Sequence, residues 1–597
     1  MKKEKYSMDK SYKTKYEKFF AHTHNTWGHK WGYKDTKFIL NDDGSVRMGG
    51  DRYELCGADL PDLLPYVEEM LGIKIDPNDT LPEVENKPVR DAQINESFMH
   101  QVKSTFPEDR YSISDDDRLI HSHGQTTSEE VYKVLYSEVK RNIDLVFYIE
   151  SEDEAVQLIS LANQFDICLV PFGGGTSVSS ALIIPESETR MVVAVDTRRM
   201  DKIEWINEED RRVCVQAGIT GSRMEELLGE KGFMVGHEPD SIELSTLGGW
   251  IATNASGMKK NRYGNIEDIV ENVTMVSPNG TIEQVDPIIR ASIGIKPQNI
   301  LFGSEGNLGL ITKAILKIHQ KPEVHKYNSA VFPNWETGMK FLYELSKTNF
   351  IPASVRLVDN VQFRFGQALK SKTTGIHKYI DSVKKFVVLN IKGYDPYQMC
   401  ASTFVMEGTK DEVAYQEKNI SKLTLACGGI VGGEENGKRG YLLTFAIAYI
   451  RDFLTDFHVI GETMETSVPW SKIKSTCDAA TEKLNELHEK YNFPGKPYMS
   501  YRIPQIYHTG VCIYFMLGMS VKGIPNAEDI FGSIEHEIRK VIMENGGSIS
   551  HHHGVGKLRK DFMGKTLSQS SIDLIKNIKK VHDPKNIFGI RNNVFAD

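Results

Sequence analysis

From Val170 to Val178 the chain reads Val-Pro-Phe-Gly-Gly-Gly-Thr-Ser-Val, three consecutive glycines between an apolar run and a Thr-Ser pair. Glycine has no Cβ and accepts positive φ, so neighbouring backbone N–H groups can turn toward one anion. The loop lacks the Gly-Lys-Ser/Thr ending of a mononucleotide P-loop and the glycine spacing of a Rossmann turn. It suits a pyrophosphate held in another way; the plainer reading is a surface turn with no ligand.

The residues before the loop sharpen the choice. Asp144–Ile149 predicts a strand. Ser151 with Glu154 predicts a capping box, and Ala155, Val156, Leu158, Ile159, Leu161 and Ala162 recur at helical spacing. Ile167–Val170 is a second apolar run that ends in the glycines. Strand, helix, strand and anion-binding loop is the order of a nucleotide site. A second glycine-rich region runs through Gly236–Ser241 and Ser245–Gly257, alternating small residues with hydroxyls. Such composition lets main chain press against a flat polar ligand, or packs a turn-rich core. Asn261–Ile266 and Phe302–Gly309 continue the style.

With 597 residues, 40% of them apolar, the chain is too long for one core and predicts two to four domains. Its 72 basic against 81 acidic residues, net charge −9, leave no excess of cations for nucleic-acid phosphates. The seven cysteines, Cys56, Cys168, Cys214, Cys400, Cys427, Cys477 and Cys512, are scattered without C-x-x-C spacing and read as reduced thiols of an intracellular protein. The polar N-terminus is no signal peptide, and no run is long and apolar enough for a membrane span. Residues 1–140 predict a partly helical lead-in with a basic tail, 141–323 an α+β nucleotide domain, 324–527 a cap domain of strands and amphipathic helices, and 528–597 a helical segment returning to the nucleotide.

That last segment carries Ser550-His551-His552-His553-Gly554. Read as a short strand over Ser548–His553, it would place His551 and His553 on one face and His552 on the other. Imidazoles there can act as acid or base. A polar turn, a metal site on His551 and His553, or a tag remnant are the alternatives; metal binding needs a further ligand, and no companion cluster stands out. Arg451 is a lone guanidinium in the apolar stretch Leu442–Asp452, for which an ion pair with Asp452 is the default reading. Tyr514 reads as a strand core residue, and Arg356 as a buried salt bridge or a cofactor neighbour.

Taken together, these segments resemble the FAD-binding domain of the vanillyl-alcohol oxidase type of flavoprotein. More closely, the chain is similar to the alkyldihydroxyacetonephosphate synthase family, from about Asp51 to Asn593. The resemblance rests on Gly236–Ser241, Ala255–Asn261, Tyr263–Asp268, Pro352–Asn360, Asn436–Thr444, Ala448–Asp452 and Ser550–Lys560 in that order. It implies an α+β, two-subdomain PCMH-type FAD-binding fold with an α/β cap. It also implies FAD contacts at Pro171, Phe172, Gly173, Gly174, Gly175, Thr176, Ser177, Val178, Pro239, Asp240, Ser241, Ser245, Thr246, Gly248, Gly249, Thr253, Asn254, Ser256, Gly257, Tyr263, Gly264, Ile266, Glu305, Gly306, Leu308, Gly309 and Ile311. No His or Cys lies within Phe172–Ser177, so the FAD is expected to be non-covalent.

What the family does implies the rest. Acyl-dihydroxyacetone phosphate exchanges its fatty acid for a long-chain alcohol through an adduct at flavin N5, with no net redox change. Arg451 would hold the phosphate, Arg356 would be needed beside it, and Tyr514 with His551, His552 or His553 would move protons. A peripheral membrane contact, a homodimer and a peroxisomal location are expected, although the chain ends Val594-Phe595-Ala596-Asp597 without a peroxisomal tripeptide. An FAD-dependent D-2-hydroxy-acid dehydrogenase of the same fold, or a catalytically silent FAD or lipid binder, are the alternatives. Two local departures from the family pattern stand out: Ser292-Ile293-Gly294-Ile295-Lys296 in place of S-x-G-P-D, and Asn307 where threonine is usual.

Overall fold

The computed structural model describes residues 25–82, 89–371 and 390–596, so the basic tail read from the sequence lies outside the described residues. Strands Leu145–Tyr148, Val192–Asp196 and Cys168–Phe172 run parallel, with Tyr111–Ser112 antiparallel at the edge. Their near-continuous apolar sequences are those of strands covered on both faces. Helix Glu152–Phe165 makes the crossover, burying Ala155, Leu158, Ile159 and Ala162. Ser151 caps it by accepting the Glu154 N–H at 3.2 Å, but the Glu154 carboxylate takes the Glu150 N–H at 2.8 Å, so the expected capping box is only half formed.

A five-stranded antiparallel sheet lies beside it, in the order Gly280–Ile282, Val270–Ser277, Leu310–Lys317, Arg212–Gln216, Ile203–Asn207. One apolar cluster joins Phe147, Ile159 and Val193 to Val276 and Leu310, so both sheets share a core. Ile587 and Phe588 enter the same cluster, and the Leu169 N–H donates to the Ile587 carbonyl at 2.7 Å. The C-terminal segment thus returns to the glycine-rich half.

The cap is a seven-stranded antiparallel sheet, ordered Ile430–Val431, Val324–Phe332, Cys400–Gly408, Ser354–Val358, Tyr498–Ile506, Gly510–Ser520, Val459–Pro469. Helices Trp335–Leu345, Lys410–Ala426, Ile473–Lys490 and Ala527–Glu544 bury their apolar faces against it around Phe332, Phe341, Phe404 and Phe515. Residues 25–140 carry helices Leu63–Leu71, Glu96–Thr105, Asp115–Ile120 and Ser128–Tyr136. They also hold a small antiparallel sheet (Phe38–Leu40, Val46–Met48, Asp59–Leu60) that packs with Tyr449 and Phe453 of helix Ile447–Thr455.

Phe515 is fully buried on the strand that carries Tyr514 and meets the Tyr501 ring edge-on at 5.6 Å. Phe515→Ala should cost roughly 3–5 kcal/mol of stability, and the volume-sparing Phe515→Leu under about 1.5 kcal/mol. Denaturant unfolding followed by tryptophan fluorescence checks both; equal losses would contradict the packing account.

Candidate flavin and substrate site

Among the described residues, no backbone N–H from Gly173 to Val178 donates to another protein group. The backbone is pressed tightly from behind: a Cβ on Gly173 would sit 2.3 Å from Thr246 Oγ1, and one on Gly174 2.0 Å from the Leu244 carbonyl oxygen. Only glycine fits there, and buried main-chain donors without partners are costly. Free amides on a glycine cradle fit the pyrophosphate of a dinucleotide.

Pro171–Val178, Pro239, Asp240, Ser241, Ser245, Thr246, Gly248, Gly249, Thr253, Ser256, Glu305, Gly306, Gly309 and Ile311 all line one cavity of about 420 Å³. Six expected contacts stand behind its wall instead. Ile266 and Leu308 belong to the apolar core, and Asn254 closes helix Leu247–Thr253 in the left-handed conformation. Gly257 packs under the Glu238 N–H. Tyr263 donates to Glu407 at 2.6 Å, and Gly264 packs on Asp268.

Glu305 has a job that the sequence did not show. Its buried carboxylate accepts the N–H groups of Val555 and Gly556, tying the C-terminal turn to the flavin half. Asn307 acts likewise: its Nδ2 donates to Ser304 O at 2.9 Å and its Oδ1 accepts the Asn592 N–H at 2.9 Å.

The strand expected over Ser548–His553 does not form. Glu465, fully buried on the Val459–Pro469 strand, accepts the Ser550 hydroxyl at 2.5 Å and the N–H groups of His551, His552 (3.3 Å) and His553 (3.0 Å). Successive N–H groups in a strand point in opposite directions, whereas a turn points them at one anion. The three rings therefore do not alternate. His552 Nε2 and His553 Nε2 converge on the Tyr514 hydroxyl at 2.7 and 3.0 Å, while His551 turns to Tyr507 at 2.5 Å. Tyr514 stands directly opposite both Glu465 and Arg502 on neighbouring strands, so all three share one face of the sheet.

Burial drives His551 down to about 3 and lowers His552 and His553, so all three are neutral near pH 7. Burial alone would raise Glu465, but its setting among the His551–His553 turn and Arg539 outweighs that and holds the carboxyl well below its usual range. The proton positions in the row are assigned from the carboxylate at one end of it. His553 Nδ1, which has no other partner among the described residues, faces Glu465 at 3.7 Å and carries the proton. His553 Nε2 then accepts from Tyr514, and Tyr514 accepts from His552 Nε2. His551 Nδ1 donates to His552 Nδ1 at 2.7 Å, and Tyr507 donates to His551 Nε2. The result is a single-file relay with one direction, set by the carboxylate at its end.

As for a metal, Cys512 on the Tyr514 strand brings its sulfur within 4.8 Å of nitrogens from His551 and His552, a companion that the sequence did not reveal. Both nitrogens of each ring are already hydrogen-bonded within the relay.

The arginines differ from one another. Arg451 pairs with Asp452 through Nε at 2.9 Å and also donates to the Gln125 and Thr126 carbonyls, so its default reading holds while it lines the cavity. Arg356 is 3% exposed and lines the cavity too, yet no carboxylate pairs with it among the described residues. Nη1 donates to Thr444, the guanidinium lies 4.5 Å over the Tyr441 ring, and Nε has no partner. The expected salt bridge is therefore not what buries it. Arg502, missed in the sequence, lies 4.7 Å over the Tyr514 ring and reaches Asp240 at 3.3 Å. Trp31, Tyr66, Val67, Met70, Leu71, Phe365, Phe445, Ile450, Leu454, Val459 and Met516 give the same cavity an apolar wall.

A glycine cradle with unpaired amides in this fold defines a FAD-binding flavoprotein. Family models agree: residues 143–286 match the FAD binding domain and 321–591 the C-terminal domain of FAD linked oxidases. The chain is 41% identical to alkyldihydroxyacetonephosphate synthase of Caenorhabditis elegans, over 94% of each chain. A solved structure of an alkyldihydroxyacetonephosphate synthase superposes with TM-score 0.82 at 26% identity, covering 94% of this chain and 98% of that one. A mitochondrial cytochrome-dependent D-lactate dehydrogenase of Kluyveromyces lactis is 22% identical, over 80% of this chain and 77% of its own. The chain belongs to the alkyldihydroxyacetonephosphate synthase family, and FAD is its cofactor.

Two predictions follow from the geometry. Gly174→Ala should yield folded protein with most of its flavin lost, read as the ratio of flavin to protein absorbance; full retention would refute the cradle. His237, buried against Trp250 with neither ring nitrogen partnered among the described residues, and His551 are each driven down to about 3 by burial. Below about pH 6.5 the unfolded chain binds their protons and the folded one does not, so their stabilising share is complete above that pH. It falls on acidification by about 1.4 kcal/mol per unit for each ring. Urea midpoints between pH 7 and 4.5 should show a gentler slope in His237→Gln; an unchanged slope would contradict the assignment.

Proposed function

We propose that this chain exchanges the acyl chain of acyl-dihydroxyacetone phosphate for a long-chain alcohol. The observation that carries the reading is the buried, carboxylate-free Arg356, in the same cavity as the glycine cradle and the Tyr514–histidine relay. A buried guanidinium without a counter-ion is strongly destabilising, and an anionic ligand removes that penalty. Arg356 receives the substrate phosphate through its free Nε, and Arg451 supplies further donors; a planar fork suits phosphate oxygens.

Pro171–Val178 and Ser245–Gly249 hold the cofactor, without a covalent bond from the loop. Bound FAD supplies the reactive centre at which acid leaves and alcohol enters, with no net oxidation. Tyr514 lines the same cavity as the cradle and would face that centre. It gives up a proton to His553 or takes one from His552, so it can serve both the departing carboxylate and the entering alcohol. Arg356 and Arg451, by gripping a group remote from the reacting carbon, orient it. The apolar wall from Val67 to Met516 receives the chains, each buried CH₂ contributing about 0.8 kcal/mol. A small hydroxy acid needs no such wall, which disfavours the dehydrogenase reading. A peroxisomal location, a homodimer and contact with membrane complete the proposal.

Purified protein given acyl-dihydroxyacetone phosphate and labelled hexadecanol should form the labelled ether, while a D-2-hydroxy acid should leave the flavin unbleached without oxygen. Absence of ether product with bleaching by the hydroxy acid would overturn the reading. Tyr514→Phe should lower kcat by about 10²–10⁴-fold. Arg356→Met should chiefly raise KM for the phosphorylated substrate, with flavin content unchanged; a pure kcat defect would remove Arg356 from the phosphate.

A further inference from the structure

The segment from Val285 to Lys296 departs from the family pattern in sequence and is conspicuous in the fold. Val285 is 90% exposed, Ile289 82% and Ile295 91%, the three most exposed large apolar residues among those described; Ile288 (63%) and Ile293 (58%) lie between them. Elsewhere such residues are scattered singly; here five share eleven positions. Within Val285–Lys296 the charged residues are Asp286 at the base and Arg290 and Lys296 beyond it, and no ion pair holds any of them among the described residues. The base of the loop is pinned while its tip is free. Arg212 Nη2 donates to Pro287 O at 3.0 Å, Asn272 and Gln284 exchange two hydrogen bonds, and Gln298 reaches Glu271 O.

An apolar cluster of this kind marks an interaction surface. We propose that Val285–Lys296 is a membrane-docking loop that dips its isoleucines into the interfacial region of an anionic bilayer, with Arg290 and Lys296 at the headgroups. Two observations select the lipid occupant. A stable protein interface needs about 800 Å² and some 20–30 residues from each partner, far more than five side chains on one loop. Apolar tips with two unpaired cations beside them, and a single acid, Asp286, set back at the pinned base, match the layered chemistry of a bilayer surface, apolar below and anionic above. The inference leans on the proposed function only in that its substrates are lipids, and it supplies the location that the sequence could not.

Cosedimentation of the FAD-loaded, full-length protein with phosphatidylcholine vesicles containing 30% phosphatidylserine (about one lipid in three, a composition chosen to be strongly anionic) tests it without any turnover. Wild type should pellet with the vesicles. Ile288→Ser/Ile289→Ser/Ile295→Ser should lose at least about tenfold in vesicle affinity, and Arg290→Gln/Lys296→Gln should lose binding on anionic but not on neutral vesicles. Flavin content, and turnover of a short-chain soluble substrate, should match wild type in both variants. Unchanged vesicle binding by the triple variant would overturn the proposal, as would a shift in its light-scattering mass, which would mark the loop as a contact between copies. Because binding is read by sedimentation, a failure here is distinct from failure to form the ether.

Discussion

Two buried carboxylates from different halves of the molecule grip one short segment between them. Glu465, on the cap sheet, gathers the amides of His551–His553, and Glu305, beside the flavin cradle, gathers those of Val555 and Gly556. Arg559 adds a third tie, donating to both Gly554 O and Val178 O. The site is thereby assembled across the junction: the cap supplies Tyr514 and the arginines, the nucleotide half supplies the cradle, and the histidine turn spans the two. A carboxylate so placed is worth far more than a surface ion pair, because losing it would strand several buried donors at once.

The same charge organises the chemistry. Burial makes each imidazole neutral and therefore two-faced, one donor and one acceptor, which on its own leaves the tautomers undecided. An ionised Glu465 at the end of the row decides them all. Arg356 is the opposite case: a buried guanidinium with Thr444 and the Tyr441 ring beside it but no carboxylate among the described residues, its Nε left without a partner.

Much of the nucleotide half was legible in the chain, since glycine runs and apolar periodicity are local properties. The strand before Ser151, the helix after it and the return of Ile587–Phe588 all lie where the pattern put them. The histidines were visible as chemistry but not as geometry: alternation along a strand is a local rule, and it lost to a carboxylate 86 positions away in sequence from His551. Glu465 itself gave one weak signal, an acidic residue in a strand with apolar neighbours. Arg502 gave the same, a lone cation in the Tyr498–Ile506 strand. The apolar wall left no trace because its residues come from elements as far apart as Leu63–Leu71 and Gly510–Ser520.

The one-way order of the relay has a kinetic meaning. A proton entering at Tyr507 and leaving toward Glu465 flips every bond behind it, so after a single passage the row points backward and cannot pass a second proton the same way. Before it can, each ring and hydroxyl must reorient. If Tyr514 serves the exchange as proposed, drawing a proton from His552 and discharging one to His553, then one proton supplied and one taken up amount to a single passage, and the row must reorient before the next turnover.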